Sequence, residues 1–123
     1  MELLNKPLWN DLEKSIHEPA RLALITRLCA EPQGLGFQEL KNECGLTDGN
    51  LSRHLKVLEE AEIIHLNKVG KGRRSHTCVK LTPAGREAFL RYLHSLEKVL
   101  HGALDALDLS SGEIPSALPL AAS

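Results

Sequence analysis

The sequence predicts a mainly helical domain with one small β-wing, and three observations support that class. Leucine is abundant while Trp9, Phe37, Phe89 and Tyr92 are the only aromatic residues, a balance that favours helix-packed cores over sheet-dominated ones. Apolar residues recur at helical spacing in successive stretches, whereas the longer strand-like runs are those at 63–67 and 77–81. A chain of 123 residues holds one substantial core and is too short for two.

A first helix is expected from Asn5-Lys6-Pro7, with Leu8 or Trp9, Leu12 and Ile16 on one side up to His17. Pro19 suits the first turn of a second helix, on which Leu22, Ile25, Leu28 and Cys29 make an apolar face before Pro32 and Gly34 stop it. Leu35-Gly36-Phe37 is long enough for one small strand. Phe37, Leu40 and Cys44 then recur at i, i+3, i+7, and Gly45 ends that helix in a conformation suited to a sharp turn.

The next helix, 47–60, organises the chain. Thr47 is placed to cap its free N–H groups, and Asp48 sets negative charge beside the positive end of the helix dipole. On a wheel of about 100° per residue, Leu51, Leu55 and Leu58 gather on one side, and Gly49, Ser52, Arg53, Lys56 and Glu60 on the other. A solvated face is the commoner explanation of such a pattern in isolation. Here the face follows a helix and a tight glycine turn, which is the sequence form of a helix-turn-helix. Gly49 permits close approach to a groove floor, and Arg53 carries the fork that pairs with guanine O6 and N7.

Two strands are expected to follow as a hairpin, joined by Lys68-Val69-Gly70-Lys71-Gly72-Arg73-Arg74-Ser75, which holds four bases and no acid. Alone, this would read as a solvated tip; beside a helix-turn-helix it reads as a DNA-contacting wing. Thr82 and Pro83 open a last helix, 82–108, along which Phe89, Leu93, Leu96, Leu100, Ala103 and Leu107 form a heptad seam that calls for a partner helix. A single domain is thus expected over 1–108. Residues 109–123, rich in Ser and Pro and without period, are expected to be a mobile tail.

The net charge of −1 conceals an asymmetry. Between Leu46 and Thr82 seven bases face four acids, so the middle is positive and the flanks acidic, and a polyanion should meet the middle. Cys29, Cys44 and Cys78 are far apart and form no CxxC pair, which supports neither a disulfide framework nor a zinc ribbon. No apolar run approaches a membrane span, and Met1 to Pro7 lacks a basic leader pattern, so a cytoplasmic location is expected.

Several stretches, in this order, resemble the winged-helix transcription regulators of the MarR and ArsR type: Glu18-Pro19-Ala20-Arg21-Leu22, Phe37-Gln38-Glu39-Leu40, Thr47 to Leu58, Ala61-Glu62-Ile63-Ile64 and Leu81-Thr82-Pro83-Ala84-Gly85-Arg86. They span about residues 15 to 90, and the likeness is strongest to small stand-alone members of the MarR side. The resemblance implies a winged helix-turn-helix with an N-terminal helix and a long C-terminal dimerisation helix. It also implies a homodimeric, cytoplasmic regulator of double-stranded DNA, with repression as the expected outcome and a small-molecule effector as a further partner. Carried over by position, Thr47, Gly49, Asn50, Ser52, Arg53, His54 and Lys56 fall on the DNA-facing helix, and Lys68, Lys71, Arg73 and Arg74 on the wing. Leu8, Trp9 and Leu12 would join the C-terminal seam in dimerisation. The chain departs from arsenic-type sensors in holding one cysteine, Cys44, between Phe37 and the turn, so no metal site transfers and no cofactor is expected.

A metal- or thiol-responsive sensor using Cys29, Cys44, Cys78 and the six histidines is the alternative. The positions of Cys29 and Cys44 on apolar helix faces fit small buried hydrophobes better. No catalytic constellation is recognisable, and scattered histidines such as His17, His65 and His94 fit surface positions or satisfied core groups, so no enzyme is expected.

Overall fold

A carboxylate cap and a proline at the first position start the helix that supplies much of the core. In the computed structural model, which describes residues 11–107, helix α1 spans Asp11–Ile16 and α2 spans Pro19–Cys29, with Glu18 Oε1 accepting the Arg21 N–H at 2.8 Å. Strand β1 is Leu35–Gly36, followed by α3, Phe37–Cys44, and α4, Asp48–Glu60. Strands β2, Ile64–Val69, and β3, His76–Leu81, flank a short 3₁₀ turn at Gly72–Arg74, and α5 spans Pro83–Ala106.

The chain divides into two compact units, one through Leu90 and one from Arg91 onward, and α5 begins in the first and continues in the second. In the first unit Ile16, Leu24, Ile25, Leu28, Leu40, Leu51, Leu58, Ile63 and Val79 are almost wholly removed from water. Each such side chain contributes about 1.5 to 3 kcal/mol of transfer free energy. The expected face of α2 is turned by a fraction of a helical turn: Leu24 joins Ile25 and Leu28 inside, while Leu22 and Cys29 are only half-buried. In the second unit Tyr92 is buried, and burial pushes its hydroxyl up from the ordinary range.

All three strands pair antiparallel in the order β1-β3-β2. Leu35 stands opposite Val79 on one side of β3, and Leu66 opposite Val79 on the other. The small strand therefore closes the inner edge of the hairpin. The hairpin runs longer than expected, because pairing continues through Lys68↔Thr77 and Val69↔His76 before Gly70 bends the chain. Lys68 lies within β2 rather than in the loop.

Two turns set the helices. Gly45, at φ 64° and ψ 39°, takes the left-handed conformation that lets its N–H bond back to the Lys41 carbonyl, so α4 starts at once in a new direction. At the other end of α4 the left-handed residue is Glu62, φ 61°, with Ile63 N–H bonded to Leu58 O and Glu62 N–H to Glu59 O, both at 2.9 Å. That bond pair is a Schellman motif built on a non-glycine residue. The hydroxyl of Thr82 donates to the carbonyl of Glu62 at 2.7 Å and accepts the Gly85 N–H at 2.8 Å, so one side chain joins this turn to the start of α5. Gly85 is required there, since a Cβ would stand 2.1 Å from the Ile63 carbonyl oxygen.

Candidate nucleic-acid interface

Helix α4 is held at its start, along its inner face and across the preceding turn. Thr47 Oγ1 accepts the Asn50 N–H at 3.1 Å, and the Thr47 carbonyl accepts the Leu51 N–H at 2.9 Å. Leu51, Leu55 and Leu58 are buried. Lys41 on α3 reaches Asp48 at 3.0 Å, tying the two helices across the Gly45 turn. These constraints leave Thr47, Gly49, Asn50, Ser52, Arg53 and Lys56 exposed together on the outer side. No atom lies within 4 Å of the position a Cβ would take on Gly49, so the helix presents bare backbone there. Arg53 Nη2 donates to Asn50 Oδ1 at 3.1 Å.

His54 departs from the sequence-based expectation. It does not share the outer face: it is 7% exposed and turned inward. Its Nδ1 lies 3.3 Å from Arg21 Nη1, and its Nε2 lies 3.9 Å from Glu18 Oε2. Arg21 in turn donates from Nε to the Ser15 carbonyl. The cause is helical spacing, because position 54 is three after Leu51 and four before Leu58, which places it on the buried stripe. Motif and charge pattern do not single out Glu18 and Arg21 as partners of this helix. The signal that could have found them is an arginine inside the otherwise apolar run of α2 together with a polar residue on the apolar stripe of α4. Glu18 is held below the ordinary carboxylate range, chiefly by the Arg21 backbone N–H, with the nearby His54 adding to the effect.

On the hairpin, Lys68, Lys71, Arg73 and Arg74 are all exposed. The turn carrying Arg73 and Arg74 is closed by Arg74 N–H to Lys71 O and Ser75 N–H to Gly72 O, each 3.1 Å. His76 Nδ1 lies 3.2 Å from the Arg74 carbonyl oxygen. A short ordered turn thus presents two guanidinium groups and an ammonium to solvent.

The seam residues fall into distinct environments. Phe89 is already 8% exposed within its own chain, so it belongs to the internal core and not to a free surface. Leu93, Leu100 and Leu107 are 41%, 50% and 70% exposed, Leu96 is half-buried and Ala103 is exposed. Leu12 is half-buried, while Leu8, Trp9 and the tail 109–123 lie outside the described residues.

Cys29, Cys44 and Cys78 are free and half-buried. Burial pushes the thiols of Cys29 and Cys44 up, away from the thiolate form that makes a cysteine reactive. Among the described residues no three His, Cys, Asp or Glu side chains converge on a metal-sized space, and no helix is long and apolar enough to cross a membrane.

A family model described as a winged helix DNA-binding domain matches residues 20–100. An uncharacterized protein of Methanocaldococcus jannaschii is 46% identical over 61 residues, covering 49% of this chain. The chain spans 65% of the length of that curated relative. A transcriptional regulator homologue from Pyrococcus horikoshii is 30% identical over 84% of this chain and 98% of its own, with a TM-score of 0.71. The structure of MarR is 24% identical, covers 84% of this chain and 72% of its own, and superposes with a TM-score of 0.67, a likeness of fold.

Proposed function

This chain belongs to the winged helix DNA-binding domain family, and from that premise we propose that it is a transcription regulator acting as a homodimer on a roughly palindromic DNA site. Helix α4 enters the major groove and the basic hairpin lies on the backbone or in the adjacent minor groove. The regulator represses by covering the site it binds. The observation that carries this reading is the outer face of α4, where a bare backbone at Gly49 adjoins Asn50, Ser52 and Arg53 on a helix capped at Thr47. Such a face fits a groove floor, and a guanidinium on it matches the acceptor pair of guanine.

The exposed stripe of Leu93, Leu100 and Leu107 supports a second copy as the partner of α5. Large apolar side chains buried at about 1.5 to 3 kcal/mol each, from both copies, are of the size needed to offset an association cost of about 4 to 15 kcal/mol. Two symmetric copies of α4 then require half-sites about 10 bp apart, or a multiple of that spacing. Selection of bound DNA from random oligonucleotides, with light scattering on the same preparation, tests the reading. An inverted repeat and a mass of two chains are expected, with Leu96→Glu and Leu100→Glu halving the mass. A single-chain mass at micromolar concentration, or selected DNA without an inverted repeat, would overturn it.

A further inference from the structure

On the outer face of α4 the amide oxygen of Asn50 accepts a hydrogen bond from Arg53 Nη2 at 3.1 Å. We propose that Asn50 is a positioning residue for Arg53: it holds the guanidinium so that the remaining N–H groups meet one base pair, and preference at that base pair depends on both residues. The inference rests on Arg53 reading a base, as proposed above.

Three features of the helix favour this arrangement. The two residues are three apart, so their side chains are neighbours on one face, and both are exposed, so nothing in the core dictates their meeting. The backbone of Asn50 is anchored, because its N–H is the donor to the Thr47 cap; the acceptor therefore stands on a fixed platform. Asp48, the carboxylate in the same turn, is engaged by Lys41 at 3.0 Å and is not the partner of Arg53.

The neutrality of the acceptor matters. A carboxylate takes an arginine fork in two charge-assisted bonds and repels phosphate, whereas an amide oxygen takes one of the five N–H groups and leaves four for a base. An unrestrained arginine also loses much rotamer freedom when it docks. Holding it in advance reduces that loss, which favours the base pair at which the fork is aimed.

The test uses DNA selected by the full-length chain from random oligonucleotides and measures base preference at every position for wild type, Asn50→Ala, Arg53→Ala and the double variant. Asn50→Ala is expected to lower preference by about 3- to 10-fold at the base pair that Arg53→Ala affects. The double variant is expected to lose no more than Arg53→Ala alone. Asn50→Asp, whose carboxylate takes the fork itself and repels phosphate, should lower preference at that base pair and weaken binding to all DNA. Thermal midpoints should stay unchanged, since the Thr47 cap uses the Asn50 backbone. A loss at a different base pair, additive in the double variant, would show that Asn50 reads a base itself and would overturn the inference. Unaltered preference in Asn50→Ala would overturn it as well. If Arg53→Ala alone leaves every preference intact, the reading of Arg53 fails and the inference falls with it. That outcome is distinguished by appearing in the Arg53 single variant.

Discussion

The imidazole of His54, on the helix whose outer face is proposed to meet DNA, is tied by its Nδ1 to Arg21 Nη1 at 3.3 Å on the opposite side of that helix. Arg21 is anchored to the Ser15 carbonyl, so the seat of α4 is set by the junction of α1 and α2. Removing the imidazole leaves one N–H of the part-buried Arg21 guanidinium, that of Nη1, without its acceptor. His54→Ala is expected to destabilise the fold by about 1 to 3 kcal/mol in urea unfolding. His54→Asn, which offers an acceptor near the Nδ1 position, should recover part of that loss. Because His54 faces inward, the salt dependence of DNA binding by folded His54→Asn should match wild type; a shallower slope would return this residue to the DNA contacts.

Glu18 caps α2 and is held below its ordinary carboxylate range by the Arg21 N–H, so the folded state favours its charged form. The associated stability is present above the unfolded value of 4.5 and is lost as pH falls through the lower folded value. Glu18→Gln should therefore be less stable than wild type near neutrality, with the gap closing on acidification. Urea midpoints of both proteins across that range check the sign; a gap that widens in acid contradicts it.

Two backbone substitutions separate stability from binding. Glu62 holds a left-handed conformation that glycine adopts without strain, so Glu62→Gly should stabilise by up to about 1 kcal/mol and leave DNA binding unchanged. Gly49→Ala lies on an open helix face and should stabilise by about 0.5 to 1 kcal/mol. Its new methyl group stands on the surface proposed to meet the groove floor, so DNA affinity should fall. Thermal midpoints and DNA titrations of the two variants should diverge in this way, and undiminished affinity in Gly49→Ala would remove that surface from the interface.

The helix and the hairpin should contribute differently to DNA binding. Arg53→Ala should cost about 1 to 3 kcal/mol on selected DNA and relax preference at one position of each half-site. Replacing Arg73 and Arg74 together should weaken selected and scrambled DNA alike and flatten the plot of log K against log salt by about 0.9 for each phosphate no longer neutralised. An unchanged slope in the hairpin variant would reject this division.

Much of the architecture is legible in the sequence because it is written in local rules. Thr47 before Asp48, Gly45 after Cys44 and Thr82 before Pro83 are chain-neighbour signals, and the structure shows the cap, the left-handed turn and the helix start at those positions. The outer face of α4 follows from spacing alone, since a helix with buried Leu51, Leu55 and Leu58 must present residues 49, 52, 53 and 56 to the other side. The hairpin is legible in kind, while its true bend at Gly70 depends on how far pairing with β3 continues.

By itself, then, the sequence determined the helix-turn-helix, its capped outward face and the basic hairpin, because propensity, periodicity and turn chemistry act over a few residues. Tertiary structure alone decided the rest. His54 turned from an expected DNA contact into an inward tether because Glu18 and Arg21, more than thirty positions earlier, are folded against it. Phe89, expected on a dimerisation seam, is buried in the core of its own chain. Glu62 took a left-handed turn that its side chain disfavours, because the Thr82 hydroxyl and the carbonyls of 58 and 59 hold that turn from both sides. Each of these outcomes is a contact between residues distant in sequence or a strain that such contacts offset, and neither leaves a mark in local pattern.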